Sequence, residues 1–279
     1  MNNKRLQFQL ISDVHLDDYK LPITVSGFIT PKSDYLIIAG DLCSTTDLTR
    51  YKSILESFCK EFKYVFLVLG NHEFYSKYVN YERIKVELNS IQNSIQNLYI
   101  LDDQRIDLPG NIRIYGTTLW SNIKTTDSPS FRTKLPINSI EGEAGTPTWI
   151  NRMHFNSLYK LENTIKQTQK DRKRLIVVSH YPPTKRNTVT NEHLKTKNND
   201  YYVNNLDYLL SKDKVYLWLY GHTHVNSNFS TEGDTKVASN QYKTKDYSKD
   251  IIFGVNYFKE GSDYCNYHER YINFNTVLY

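Results

Sequence analysis

A chain of 279 residues with 39% hydrophobic and 23% charged residues and no low-complexity tract can bury a sizeable core, which excludes disorder along its whole length. Its formal charge of +5 is modest and its Lys and Arg are scattered among acidic residues, so nucleic acid is possible as a partner but not favoured, and the oligomeric state is left open. Cys43, Cys59 and Cys265 lack the paired spacing of a zinc ribbon or a disulfide framework, and no apolar run approaches the roughly 20 residues of a membrane span, so the expectation is a soluble, cytoplasmic protein with no membrane partner, folded as one domain over residues 1–279.

In chain order, short apolar runs at 6–11, 35–39, 64–69, 175–178 and 215–220 have the length and composition of buried strands. Helical spacing of apolar residues marks 47–62, 78–98 and 149–168, with Asp47 placed to cap the first. Further strand-like runs lie at 112–117, 251–255 and 271–274. The stretches at about 121–146 and 182–204 are rich in Ser, Thr, Asn, Pro and Lys without a sustained period and read as long loops bordering the site; 227–250 reads similarly, with partial mobility.

The chemistry is concentrated where those five strands end. The first runs into Asp13-Val14-His15, the second into Gly40-Asp41, the third into Gly70-Asn71-His72-Glu73, the fourth into Ser179-His180 and the fifth into Gly221-His222-Thr223-His224. Loops leaving the carboxyl ends of strands in an α/β sheet converge on one place, so the ligand-bearing ends of all five strands reach one edge. Taken singly, Asp13, Asp41 and Asn71 read as turn or cap residues and each histidine as an ordinary polar residue. Together, two carboxylates, one amide oxygen and four imidazoles can hold a pair of divalent ions with positions left for water and substrate, and Asp41 could bridge them. The glycines before Asp41, Asn71 and His222 allow close backbone approach.

At these residues the chain resembles the calcineurin-like metallophosphoesterase superfamily, whose blocks D-x-H, G-D, G-N-H-[ED], H and G-H-x-H occur here complete and in order between Asp13 and His224. The resemblance implies an α/β fold, a four-layer α/β/β/α sandwich of two mixed sheets flanked by helices. It also implies a dinuclear centre of Mn, Fe or Zn in which Asp13, His15 and His224 hold one ion, Asn71, His180 and His222 hold the other, and Asp41 bridges. His72 matches the family's non-ligand histidine, which stabilises the transferring phosphoryl group or protonates the leaving oxygen. The implied activity is hydrolysis of a phosphomonoester or phosphodiester by in-line attack of a metal-bridging hydroxide.

The chain departs from the protein Ser/Thr phosphatases of that superfamily, since Ser44 and Thr45 stand where their second block carries Asp-Arg, and Leu69 stands where an Arg precedes the third. That points to a branch acting on small substrates. The competing readings are a nuclease of the same superfamily, which calls for a basic groove beside the site, and a metal-binding scaffold that recruits partners with negligible turnover. Glu73 is read as a helix cap or as an orienting group for a ligand, Tyr75, Tyr181 and Trp120 as packing residues, and Lys185 and Arg186 as a solvated pair. His154, His193 and His268 match no motif, with His193 on a loop able to overhang the site.

Overall fold

The computed structural model describes residues 4–76, 78–124, 134–140, 142–196 and 199–257. In chain order the strands are β1 (Lys4–Ile11), β2 (Tyr35–Ala39), β3 (Tyr64–Val68), β4 (Leu98–Ile100), β5 (Gln104–Leu108), β6 (Ile112–Thr117), β7 (Arg174–Ser179), β8 (Leu217–Tyr220), β9 (Asn228–Ser230), β10 (Lys236–Ser239) and β11 (Phe253–Tyr257). The helices are α1 (Leu48–Glu61), α2 (Tyr81–Ser94), α3 (Pro147–Lys170) and the short α4 (Asn191–Leu194).

The strands form two mixed sheets, one ordered β11-β1-β2-β3-β4 and the other β5-β6-β7-β8-β10-β9. In each, the inner strands pair in parallel, while the edge strands β11, β5 and β9 join antiparallel to their neighbours. Side chains alternate across a strand, and that period of two explains the layers. Ile37 and Ala39 of β2 and Phe66 and Val68 of β3 face inward and pack with Ile176 and Val178 of β7 and Leu217 and Leu219 of β8. Their neighbours Leu36, Ile38, Val65 and Leu67 face outward against Tyr51, Ile54 and Phe58 of α1 and Ile84 and Leu88 of α2. On the opposite outer face, Val177 and Trp218 pack with Leu161 and Ile165 of α3. Two sheets therefore lie between helical layers.

Helix boundaries follow their caps. Asp47 accepts the Arg50 N–H at 2.9 Å, and Asn80 accepts the Arg83 N–H at 2.8 Å. The cap at Asn80 shortens the helix expected over 78–98, and Leu98 instead opens β4. Thr146 caps α3, with Pro147 in its first turn. Among the described residues no helix is long and apolar enough to cross a membrane.

Besides the shortened α2, the structure differs from the sequence reading in three places. β4 is only three residues long and β5 (sequence QRIDL) is a half-polar edge strand, so neither carries a strong apolar signal. The 227–250 stretch contains β9 and β10 and buries Val237, Ala238, Asn240 and Gln241, its polar side chains bonding inward rather than to solvent. Within 182–204 lie α4 and a turn of 3-10 helix, Asn199–Tyr201. The strand expected at 271–274, Cys265 and His268 lie outside the described residues; Cys43 and Cys59 are free thiols.

His154, on α3, is 1% exposed and its Nδ1 lies 2.6 Å from the Trp120 carbonyl oxygen. Burial lowers its pKa below the ordinary 6.5. The unfolded chain accepts a proton there near pH 6.5 while the folded chain resists it, so stability from this position is complete above pH 6.5 and is lost as the pH falls below it. We expect the stability difference between the parent and His154→Asn, measured by urea unfolding, to shrink from pH 7 to pH 5; a constant difference would contradict this account.

Candidate active site

Five parallel strands deliver their carboxyl ends to the same side of the two sheets, and the loops that follow meet there. The loop after β1 is tied to the loop after β2 beyond the end of their ladder: Asp13, His15 and Leu16 donate their N–H groups to the carbonyls of Gly40, Asp41 and Leu42 at 3.0, 3.1 and 2.8 Å. The loop after β8 is tied to the first, since Asp13 accepts the His222 N–H on its carboxylate at 3.0 Å. At Gly70 and Gly221 the approach is so close that a Cβ would run into Asp41 Oδ1 and Ser12 Oγ respectively.

Asp13, His15, Asp41, His222 and His224 all adopt left-handed backbone, with φ between 49° and 76°. Non-glycine residues rarely sit there, and each costs about 1–3 kcal/mol when the surroundings enforce it. Five such residues, all on the loops after β1, β2 and β8, are the conformational cost of turning those three strand ends so that their side chains face a common point.

That common point is the Asp41 carboxylate, 3% exposed. Its Oδ1 accepts the His72 N–H at 2.9 Å, and its Oδ2 lies 3.3 Å from His180 Nε2, 3.9 Å from His15 Nε2 and 4.0 Å from His72 Nε2. On one side, Asp13, His15 and His224 place their potential ligand atoms within 4.8 Å of one another; on the other, Asp41, His180 and His222 do the same. Asn71 joins the second group, its Oδ1 3.0 Å from His180 Nε2. His15, Asp41 and His72 form a third such group. The eight residues singled out by the motifs are thus all brought together.

The protonation pattern shows what the cluster lacks. His180 Nδ1 faces the Ala39 carbonyl at 2.8 Å and must carry its proton there, so Nε2 of the neutral ring turns a lone pair toward Asn71 Oδ1 and Asp41 Oδ2. Without a cation, the ring itself takes the charge: burial disfavours it, but the Asp41 carboxylate overrides burial and raises the His180 pKa to about 9. His222 cannot do so as well, because burial and then the charge on His180 push its pKa well down. Its Nε2 is buried with no hydrogen-bond partner among the described residues. An imidazole grouped with the His180 ring and the Asp41 carboxylate completes a donor set of the kind a metal ion satisfies.

Residues around the motif ligands support them, some in ways the sequence reading named and some not. Glu73 is fully buried and caps no helix; its carboxylate accepts the N–H groups of Asp41 and Gly70 at 3.0 and 2.8 Å and of Leu42 at 2.7 Å. It therefore clamps the loop bearing Asp41 to the loop bearing Asn71. Burial, joined by the nearby Asp41 charge, raises its pKa to about 7. Ser12 donates to Asp13 Oδ2. Tyr75 accepts the Asn71 side-chain N–H at 2.8 Å and packs on the His72 ring, and Tyr181 packs on His222 with ring centres 4.0 Å apart. His193 stacks on Tyr202, which in turn stacks on His222. Lys185 and Arg186 pair with Asp200 and Glu232 at 3.1 and 3.0 Å. The sequence named Glu73 as an orienting group and Tyr75 and Tyr181 as packing residues, whereas the Ser12 hydrogen bond and the ion pairs of Lys185 and Arg186 were not read from it.

Comparison with known proteins gives the family and the fold. Residues 6–226 match the model of the calcineurin-like phosphoesterase family. The chain is similar to the uncharacterized protein L509 of Acanthamoeba polyphaga mimivirus, 26% identical over 74% of this chain and 77% of that protein. It is also similar to a protein of Ruthia magnifica subsp. Calyptogena magnifica named a probable cyclic nucleotide phosphodiesterase, 21% identical over 90% of this chain and 92% of that one. In fold it resembles the phosphopantetheinyl hydrolase of Mycobacterium tuberculosis (TM-score 0.64, 16% identity, 90% of this chain and 96% of that one) and a dimetal phosphatase from Danio rerio (TM-score 0.54, 14% identity, 85% and 87%). The chain belongs to the calcineurin-like phosphoesterase family, a family of dinuclear metal enzymes, and is a hydrolase acting on phosphoric esters.

The clamp at Glu73 is testable apart from catalysis. Glu73→Gln keeps the shape but replaces one acceptor oxygen by an NH2 group facing backbone N–H donors. The expected loss is about 1–3 kcal/mol, read as a lowered urea midpoint of the metal-free chain. An unchanged midpoint would show that the clamp does not hold the two loops.

Proposed function

We propose that this chain hydrolyses a phosphomonoester or phosphodiester at the Asp41 cluster, with Asp13, His15 and His224 holding one divalent ion, Asn71, His180 and His222 holding a second, and Asp41 shared between them. The observation that carries this reading is the position of Asp41 Oδ2, within 4.0 Å of imidazole nitrogens from three different loops. The unpartnered His222 Nε2 and the lone pair of His180 Nε2 fit the same pair of ions. Mixed imidazole and carboxylate donors suit Mn, Fe or Zn. When bound, such ions supply Lewis acidity at the phosphoryl oxygens and acidify a coordinated water.

The protein's own contribution is orientation and proton handling. Asp41 Oδ1 fixes the His72 backbone, and the His72 ring is held between His15 and Tyr75, with ring centres 4.7 and 4.6 Å away. The His72 side chain is nonetheless 45% exposed, whereas His180 is fully buried. An imidazole that substrate can reach, anchored beside the shared carboxylate, is placed to give a proton to the departing oxygen. Its grouping with His15 and Asp41 would also allow a ligand role, but its exposure and its place in the third motif favour proton donation. The likeness to a relative named a probable cyclic nucleotide phosphodiesterase supports including diesters among the substrates. The presence of all seven ligand candidates together with His72 counts against a scaffold without turnover.

The test is turnover of paired chromogenic phosphomonoester and phosphodiester substrates by chelator-stripped protein with Mn(II) returned. We expect hydrolysis only after metal return, a drop in kcat of about 10²–10⁴-fold for His72→Ala, and none measurable for Asp41→Asn. Turnover that needs no metal, or that survives Asp41→Asn, would refute the reading.

A further inference from the structure

The segment after β10 lies beyond the residues matched to the family, yet it reaches the site. β10 runs parallel to β8 with Ser239 level with Tyr220, so Gln241 emerges at the same edge as His222 and His224. Gln241 is fully buried. Its Oε1 accepts the His224 N–H at 2.6 Å, while its Nε2 donates to the Val225 carbonyl at 2.9 Å and to Thr223 Oγ1 at 3.3 Å. One amide thus holds three consecutive residues of the last motif loop. Its orientation is unambiguous, because a backbone N–H faces one end and a backbone carbonyl faces the other.

The same segment is stitched to the first loop. The Tyr242 N–H donates to the Ser12 carbonyl at 2.8 Å, and Asn240 Nδ2 donates to the Leu10 carbonyl at 2.7 Å. Asn226 Oδ1 accepts the Gln241 N–H at 2.6 Å, closing the bracket. His224 needs such support: its φ of 53° takes it out of any strand ladder, and its side chain is 53% exposed, so little packing fixes the ring. Asp13 and His224, which meet at 3.8 Å, come from different sheets, and residues 240–242 join the two loops that carry them.

We propose that Gln241 is a positioning residue for the metal centre: its side-chain amide sets the backbone of His224, and through it the half of the centre formed by Asp13, His15 and His224. This rests on the assignment of those three residues to one ion. Glu at this position would keep the acceptor for the His224 N–H but set an oxygen against the Val225 carbonyl, and Leu would remove every side-chain hydrogen bond while filling the space.

The experiment measures Mn(II) binding by equilibrium dialysis in the full chain, with thermal unfolding of the metal-free proteins to confirm that each folds. In the parent, Gln241→Leu is expected to weaken one of two ions by about 10–100-fold, with Gln241→Glu intermediate. In a His224→Ala background the same Gln241 substitutions are expected to change the remaining affinity less than about threefold, because the residue acted through His224. Equal losses in both backgrounds would show general loosening of the fold and overturn the proposal, as would unchanged affinity in the parent background. If Gln241→Leu does not fold, the Gln241→Glu arm decides by the same comparison. A parent that binds no Mn(II) would overturn the metal assignment and this proposal with it, whereas in a parent that binds two ions an unchanged affinity on substitution would count against Gln241 alone.

Discussion

Electron-rich atoms that converge in a buried site repel one another unless something positive sits among them, and this constraint organises the whole molecule. Asp41 Oδ2, Asn71 Oδ1 and the imidazole nitrogens of His15, His180 and His222 crowd one edge, with Asp41, Asn71 and His180 buried beneath the more open His15. In the bare chain the conflict is relieved by charging His180, whose pKa rises to about 9, and it is left unresolved at His222 Nε2. Divalent cations held there, as proposed, would relieve both. The fold is thus arranged around a charge that the polypeptide does not itself supply.

Holding that arrangement requires rigidity at several levels. The left-handed conformations at Asp13, His15, Asp41, His222 and His224 aim the side chains but are individually unfavourable. They persist because each is tied elsewhere: the first loop to the second through backbone hydrogen bonds, the second to the third through Glu73, and the fifth to the first through Asp13 itself and through Gln241. Behind them the two sheets pack through a continuous apolar layer, so the strand ends cannot drift apart. Stability of the sandwich and geometry of the site are the same problem.

Much of this was legible in the sequence. Strands β1, β2, β3, β7 and β8 are apolar runs, and the eight motif residues sit directly after them, so both pattern and place were visible. β4, β5 and β9 were not, being short or half polar at sheet edges. The supporting hydrogen bonds were harder still. Glu73 reaches 31 and 32 residues back to Leu42 and Asp41, and Gln241 reaches 17 residues back to His224; no spacing rule encodes such contacts. Gln241 in particular lies in a polar stretch whose composition resembles a loop, and only the burial of its amide reveals its place. Compositional reading fails where polar residues bond inward.

The proposed function requires two metal ions flanking Asp41. Crystals grown with Mn(II) and measured near its absorption edge test this most directly. The account requires two anomalous peaks per chain, one beside Asp13, His15 and His224 and one beside Asn71, His180 and His222, with the Asp41 carboxylate between them. A single peak, or peaks that leave Asp41 without a metal contact, would contradict it.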